Sequence, residues 1–243
     1  MPKLAGDHVQ VLVDGYELTG DSNRISINDS RDLFDVTVFG DEAHKFLAGQ
    51  RMMAVQHAGF MNSGEAGSHP VLQGADVDGL FSLYVGENAE PRAGDPVFSL
   101  LTQQGRYGTL PQVNQMIPFQ AVFANRGEYG GWGVALASPQ SLTGSVSGAA
   151  VDNGAASSGG GLASLHVLGA ASSDTYAFSI EGSGSGAFAG EERTLATFTL
   201  NGREIGSELV KIDGTIPRYT RWKATVSGSA GDNVKIAISL IRN

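Results

Sequence analysis

The side chains that could hold a metal ion or act as a nucleophile are few and widely spaced in this sequence. No cysteine is present, which removes disulfides, thiolate catalysis and cysteine-based zinc sites. Neighbouring sequence predicts that His44 lies on the exposed side of a short helix and that His57 and His166 lie within strands. None of the five histidines has HExxH or HxH spacing, and they are His8, His44, His57, His69 and His166. We therefore expect no metal centre and no cofactor.

Motifs for other kinds of catalysis or ligand binding are absent or incomplete. No glycine precedes a lysine, so no phosphate-binding loop can be written, and no GxSxG nucleophile motif occurs. The run from Asp76 to Glu87 imitates a calcium loop, but Phe81 stands where that loop requires glycine. The adjacent Glu191 and Glu192 would point to opposite faces of a strand and could not flank one bond. The sequence predicts a protein that is not an enzyme.

Composition and charge exclude further classes of protein. The 243 residues include 16 Lys and Arg against 25 Asp and Glu, a net charge of −9, so the clustered cations of a nucleic-acid clamp are missing. Glycine, with 34 residues, is about twice as frequent as in an average protein, which favours turns over long helices. No apolar run approaches the roughly 18 residues of a membrane helix, and no secretion signal is recognised. We expect a soluble chain made in the cytoplasm.

Alternation of apolar and polar residues predicts strands throughout the first part of the chain. Val9, Val11 and Val13 share one face, and the Asp14-Gly15 pair that follows them is typical of a hairpin turn. Such alternation recurs at five further places, which are 24–28, 35–39, 51–61, 96–103 and 116–125.

Two local signals qualify this pattern. Pro118 indicates that the strand around it is an edge strand or begins near the proline. The only predicted helix is Asp41–Ala48, because acidic residues stand in its first turn and Gly49 follows its end.

A change in composition near Ser138 predicts a domain boundary. Small residues dominate from Trp132 to Leu162, and this Gly/Ser-rich stretch is compatible with a flexible linker or with an arm that crosses to a neighbouring subunit. The net charge is −8 before the boundary and −1 after it. We predict two domains, residues 1–138 and residues 139–243.

Regularly spaced alternating runs after Leu162 predict a second β-sandwich. These runs are 165–168, 175–181, 194–200, 208–213, 218–226 and 234–241. In the fifth run, Thr220, Trp222 and Ala224 share a face with Val226, and the residues predicted to face solvent are Tyr219, Arg221 and Lys223. The predicted fold class is all-β with one short helix.

Three short motifs follow one another in the first half. Val13-Asp14-Gly15 forms a VDG turn, the segment Asp35–Asp41 reads DVTVFGD, and Gly59-Phe60 ends a later strand. This order resembles that of the major tail proteins, or tail tube proteins, of long-tailed bacteriophages. In that family a strand pair with a VDG turn leads through a D-V-T-x-F-G-D segment and a short helix into a strand that ends in G-F. The resemblance covers roughly residues 8–137.

Membership of this family would imply a β-sandwich or split barrel whose strands join those of neighbouring subunits in a closed barrel that lines a ring. Rings would stack into a tube through which DNA passes, and an acidic wall would repel phosphate so that the duplex can slide. The implied partners are further copies of the chain and other tail proteins, in a virion tail assembled in the host bacterial cytoplasm. The implied subunit interface consists of the matching residues Asp35, Val36, Thr37, Phe39, Gly40 and Asp41.

The second half leaves the ring stoichiometry open. Some tail proteins carry an added sandwich outside a ring of six chains, whereas others duplicate the tube domain so that three chains form a pseudo-sixfold ring. No second FGD segment occurs, which favours the external sandwich and six chains. On this sandwich Tyr219, Arg221 and Lys223 are predicted to contact cell-surface glycans or the next ring.

Two other functions fit the same composition. A capsid decoration protein would place the sandwich on the virion head, and it would not polymerise alone. A carbohydrate-binding β-sandwich module would need an aromatic platform, for which only Trp132 and Trp222 are available as tryptophans.

Overall fold

The computed structural model describes residues 6–74, 78–87, 90–228 and 231–243. These residues form a ten-stranded sheet and a five-stranded sheet, both antiparallel, with one α-helix of five residues among them. The predicted all-β fold class is therefore confirmed.

The first half contributes seven strands and the helix. Asp14 and Gly15 both adopt positive φ angles, 46° and 82°, and form the predicted tight turn between the first two strands. The elements are β1 (Val9–Val13), β2 (Tyr16–Glu17), β3 (Ser22–Asp35), β4 (Phe46–Phe60), α1 (Ser68–Leu72), β5 (Asp78–Val85), β6 (Pro96–Thr109) and β7 (Pro118–Leu142).

The helix predicted at Asp41–Ala48 is wrong. Phe46, Leu47 and Ala48 instead pair with the end of β3, so that β3 and β4 form one long hairpin. The acidic residues that imitate a helix start have another role, because Asp41 accepts a hydrogen bond from the Val38 N–H and closes the turn. Cross-strand pairing of bulky residues wins over the weak local preference for a helix.

Two further predictions for this region need correction. The strand predicted at 35–39 ends at Asp35, because residues 36–45 form the turn of the hairpin. The helix α1 was not foreseen, since its five residues are too few to show a helical period.

Strand β7 is 25 residues long and links the two halves of the chain. It begins at Pro118, in agreement with the prediction that a strand begins near this proline. Its first part pairs with β4 and β6, and its last part pairs with a strand from the C-terminal half. Because β7 runs through Ser138, the two halves share one sheet, and the division into domains at residue 138 stays a prediction.

The second half completes the large sheet and forms the small one. Its strands are β8 (Val146–Ser147), β9 (Val151–Asp152), β10 (Gly161–Gly169), β11 (Thr175–Ser183), β12 (Arg193–Thr197), β13 (Gly206–Ile212), β14 (Tyr219–Ser227) and β15 (Val234–Arg242). The large sheet runs β13-β10-β15-β7-β6-β5-β1-β2, with β4 joined to β7 and β3 to β4, whereas the small sheet runs β12-β11-β14-β8 with β9 also on β14. A core that includes Phe178, Trp222 and Ile236 lies between them.

The predicted alternation in β14 is confirmed. Thr220, Trp222 and Ala224 are buried, and the residues between them are half-buried.

The large sheet curls until β10 and β13 meet the β1–β2 turn. The Gly15 N–H donates to His166 Nδ1 at 3.3 Å, and Ser207 Oγ donates to Asp14 Oδ1 at 2.7 Å. A side chain at Gly15 would place its Cβ 2.5 Å from the Gly206 nitrogen, so only glycine allows this approach.

A row of serines lies inside the curled sheet. His166 Nε2 donates to Ser82 Oγ at 2.9 Å, since its Nδ1 already accepts from Gly15. The row continues with oxygen–oxygen distances of 2.9, 3.1 and 2.5 Å through Ser82, Ser99, Ser239 and Ser164. Burial lowers the pKa of His166 to about 3, so the ring is neutral.

A second buried histidine lies at the base of the β3–β4 hairpin. His57 Nε2 is 2.7 Å from Ser22 Oγ, and this hydroxyl donates to the Leu18 carbonyl at 2.6 Å, so His57 is the donor. Its ring packs edge-on against Phe119. Burial lowers the pKa of His57 to about 4.

These two histidines predict a loss of stability in mild acid. An unfolded histidine has a pKa of about 6.5, so between that pH and the lowered native values the unfolded chain binds protons that the folded chain does not. Stability is therefore complete above about pH 6.5, and we expect the free energy of unfolding in urea to be about 2 to 3 kcal/mol lower at pH 5.5 than at pH 7.5.

The matched variants are His57→Gln and His166→Gln. Each variant is expected to be less stable than wild type at pH 7.5. The difference between its free energies of unfolding at pH 7.5 and pH 5.5 is expected to be about half of the wild-type difference. An unchanged difference in both variants would show that other groups cause the acid sensitivity.

Candidate self-assembly surfaces

The β3–β4 hairpin carries an apolar surface that the rest of the chain does not cover. Its base is packed on the core by Ile25, Ile27 and Val55, but from residue 31 onward both strands are solvent-exposed. We call residues 33–47 the hairpin tip. Its exposed apolar side chains, with their exposed fractions, are Leu33 64%, Phe34 56%, Val36 47%, Val38 66%, Phe39 111%, Phe46 58% and Leu47 60%. Seven large apolar side chains exposed within fifteen residues mark an interaction site.

The polar residues of the hairpin tip hold the turn. Asp35 accepts from both the backbone N–H, at 2.9 Å, and the hydroxyl of Thr37, and these bonds hold its pKa below the usual value. The ion pair with Lys45 likewise lowers the pKa of Asp41. Gly40 adopts a φ of +107°, which a residue with a side chain rarely adopts. Polar groups are thus satisfied within the turn while the apolar groups are left exposed.

The residues that the family resemblance assigned to the interface all lie in the hairpin tip. Asp35, Thr37 and Asp41 shape the turn, whereas Val36 and Phe39 are exposed. Their role in an interface stays a prediction. Sequence reasoning missed Leu33, Phe34, Phe46 and Leu47, because the predicted helix hid the strand pairing. That pairing places Phe34 beside Leu47 on one face of the hairpin and leaves Leu33 and Phe46 on the other.

A second apolar loop connects β6 and β7. Leu110, Val113 and Met116 are 62%, 89% and 66% exposed in it. The Leu110 N–H donates to the Pro118 carbonyl at 3.2 Å, which closes the loop. No signal in the sequence singled out this loop, since its apolar residues do not alternate.

Four strand segments form a sheet with two free edges. We use the name open sheet for four strand segments that lie side by side in the order β3-β4-β7-β6. They are residues 22–30 of β3, 52–60 of β4, 118–124 of β7 and 103–109 of β6. Among the described residues, β3 pairs only with β4, and the pairing of β6 with β5 ends at Gln103. Unpaired edges of this length are templates for pairing with another chain.

The two faces of the open sheet differ. One face packs on the core through buried residues such as Val55, Ala121 and Phe123. We call the other the open face, and its strands present hydroxyls, amides and small groups with two arginines, together with the large apolar side chains of Met52 and Phe60 at the two ends of β4. Its members are Arg24, Ser26, Asn28, Ser30, Met52, Ala54, Gln56, Ala58, Phe60, Pro118, Gln120, Val122, Ala124, Arg106 and Gly108. None of these members is a carboxylate.

On the small sheet, the cations predicted to contact glycans are paired within the chain. Arg221 and Lys223 bind opposite oxygens of Glu181 at 2.7 and 2.9 Å, and the Glu181 side chain is only 5% exposed. Burial alone would raise the pKa of Glu181, but the bonds from Lys223 and Arg221 outweigh it and the pKa is lowered. Tyr219 lies against the Arg218 guanidinium. An external contact through Tyr219, Arg221 and Lys223 stays a prediction.

Metal and membrane sites were also sought. In the part of the chain that the structure describes, no three His, Asp or Glu side chains are grouped so that they could hold a metal ion. Asp76 of the calcium-like run lies outside the described residues. No helix among the described residues has the length and apolar character needed to cross a membrane.

The exposure of the hairpin tip predicts how two phenylalanines differ. Phe39→Ala removes no packing contact, so its free energy of unfolding in urea is expected to stay within about 0.5 kcal/mol of wild type. Phe119→Ala, at a side chain only 2% exposed, is expected to cost about 3 to 5 kcal/mol. A large loss for Phe39→Ala would mean that the tip folds back onto the body of the protein.

Comparison with known proteins gives structural similarity only. The sequence matches no protein-family model and no curated protein. The fold is similar to a protein in the virion of a native gene transfer agent particle, with 13% identity over 54% of this chain and 98% of that chain, TM-score 0.42. It is similar to the SPP1 tail tube protein, with 13% identity over 53% of this chain and 78% of that chain, TM-score 0.42.

A third similar structure spans both halves of the chain. It is the SPP1 Dit protein, a hub protein of the adsorption apparatus, with 11% identity over 96% of this chain and 99% of that chain, TM-score 0.35. Because each of these TM-scores is below 0.5, the function proposed below depends on the sequence motifs and on the geometry of this chain.

Proposed function

We propose that this protein is a structural component of the tail of a phage or phage-like particle, and that it assembles into stacked rings that form a tube for DNA. The observation that carries the proposal is the open sheet, which has two free edges and an uncovered face. The sequence motifs between residues 8 and 137 support it independently.

The free edges supply a mechanism for ring closure. The β3 edge of one copy pairs with the β6 edge of the next, which is a head-to-tail contact that generates a ring when the rotation closes. When the ring closes, every β3 edge and every β6 edge is paired. Edges that would otherwise cause aggregation thus direct the assembly of the ring. The open face then lines the channel, and the core of each subunit lies outside it.

The number of strands favours six copies. Six open sheets give 24 strands, and with about 4.8 Å between strands and a tilt of about 40° the barrel is about 48 Å across between backbones. Three copies would give 12 strands and about 24 Å, which side chains narrow below the roughly 20 Å of a DNA duplex.

The hairpin tip supplies the contact between rings. It projects from the subunit with exposed Val36, Val38 and Phe39, and burial of these side chains against the next ring would drive stacking. The turn-forming residues Asp35, Thr37, Gly40 and Asp41 would hold that surface in shape. Partners on this account are further copies of the chain and other tail proteins.

The C-terminal half would then lie on the outside of the tube. The five-stranded sheet belongs to this half, and it is separate from the open sheet. Arg221 and Lys223 share the single carboxylate of Glu181, so an external contact there would meet one net positive charge rather than two free cations. The location of the protein would be the virion tail, assembled in the host bacterial cytoplasm.

Assembly is tested by electron microscopy of negatively stained protein at rising concentration, with mass by light scattering. We expect hollow tubes of uniform width for the wild-type protein. The double variant with Val36→Asp and Phe39→Ala should leave the fold intact but reduce tube length at least tenfold, because it charges and truncates the hairpin tip.

The matched control is Ile205→Ala, which removes an exposed apolar side chain, 43% exposed, in the C-terminal half. It is expected to form wild-type tubes. A monomer at every concentration, which also fails to add to isolated tail tips, would instead favour a decoration protein or a carbohydrate-binding module.

A further inference from the structure

Two arginines on the open face have no partner among the described residues. Arg24 lies on β3 and Arg106 on β6, and both are solvent-exposed. Neither side chain makes a hydrogen bond or an ion pair in the part of the chain that the structure describes, whereas Arg51 and Arg218 form paired contacts with carboxylates. An unpaired guanidinium on an ordered strand is available to an anion from outside the chain.

The charge of the open face is opposite to that of the whole protein. The chain has a net charge of −9, with 25 carboxylate side chains, yet none of those whose side chains the structure describes lies on the open face. The expected acidic wall is therefore not found on this face. Between the arginines lie neutral residues such as Ser26, Gln56 and Gln120, which can form hydrogen bonds but add no charge.

The register places the arginines at the two sides of the open sheet. Arg24 is opposite Ala58, which pairs with Gln120, and Arg106 is opposite Val122. The two arginine-bearing strands are three strand spacings apart, about 14 Å. When copies join edge to edge, each seam is flanked by Arg106 of one copy and Arg24 of the next, so cations recur around the wall with neutral strips between them.

We infer that the open face binds the phosphate backbone of double-stranded DNA through Arg24 and Arg106. This inference depends on the proposed function, which makes the open face the wall of the channel. Guanidinium groups pair with phosphate oxygens in two parallel hydrogen bonds, and contacts to phosphate carry no sequence information. Because the cations are few and separated, each contact with a phosphate is weak. A moving duplex can exchange these contacts one after another and is not held in place.

A DNA duplex fits these observations better than an acidic protein segment does. Between the exposed Met52 and Phe60 at its two ends, the open face presents small residues such as Ala54, Ala58 and Gly108. A wall with regularly repeated cations matches a ligand whose charge repeats regularly along its length.

The test compares assembled wild-type tubes with the double variant Arg24→Gln and Arg106→Gln. The probes are a fluorescent 20-base-pair duplex and poly-L-glutamate, each measured by sedimentation with the tubes at several salt concentrations. The control is the double variant Arg92→Gln and Arg203→Gln, which removes the same charge from exposed positions away from the open face. Electron microscopy of each sample shows whether tubes are present.

We expect wild-type and control tubes to bind the duplex in a salt-sensitive manner and the Arg24/Arg106 variant to bind it at least tenfold more weakly. Equal duplex binding by all three, or none by the wild type, would overturn the inference while tubes in the micrographs leave the proposed function standing. Binding of poly-L-glutamate in preference to the duplex would also overturn it, in favour of an acidic protein. If no tubes form, either from the protein alone or on isolated tail tips, the proposed function fails, and duplex binding by the unassembled chain with and without the two arginines decides the inference separately.

Discussion

Strand β7, which is shared by both halves of the chain, is the constraint on which the rest of the structure depends. It keeps β6 as its neighbour on one side, whereas on the other side it changes partner from β4, which it leaves at Ala124, to β15, which it joins at Val134. A Cβ at Gly133 would come within 2.2 Å of the Leu240 carbonyl oxygen. Only glycine lets β7 and β15 approach this closely, so the change of partner depends on this position.

Burial is distributed unevenly on the two sides of this change of partner. Beyond it, β10, β15 and the small sheet enclose a continuous core. On the opposite face of β10 and β15, inside the curled sheet, the buried His166 and Ser239 are hydrogen-bonded. Before it, the open sheet is covered on one face only, and the hairpin tip on neither. Most of the segments that cover a sheet face therefore lie in the C-terminal half. The open sheet and the hairpin tip would need further copies of the chain to bury their apolar groups and to pair their edges.

Local signals in the sequence predicted much of the secondary structure. The Asp14-Gly15 turn and the start of β7 at Pro118 follow from backbone preferences that need no tertiary context. The segment after Asp41 was predicted as a helix because the signals of a helix start resemble those of a polar turn. Its strand conformation comes from pairing with β3, which a local pattern cannot show.

The candidate site was predictable in position but not in form. The DVTVFGD motif identified the turn at residues 35–41, yet the exposed apolar pairs on the two faces of its strands, such as Phe34 with Leu47, arise only through the hairpin. The open face was also hidden, because it requires the order of four strands from distant parts of the sequence. Contacts such as Gly15 to His166, which are 151 residues apart, have no sequence signature at all.

The central claim is that the open sheets of neighbouring copies join into one continuous wall. Cryo-electron microscopy of assembled tubes, at a resolution that separates β-strands, tests it most directly. The account predicts a closed barrel of four strands per copy, with β3 of one copy beside β6 of the next and the face that carries Arg24 and Arg106 toward the channel. A tube in which these edges remain unpaired, or in which that face lies on the outer surface, would contradict it.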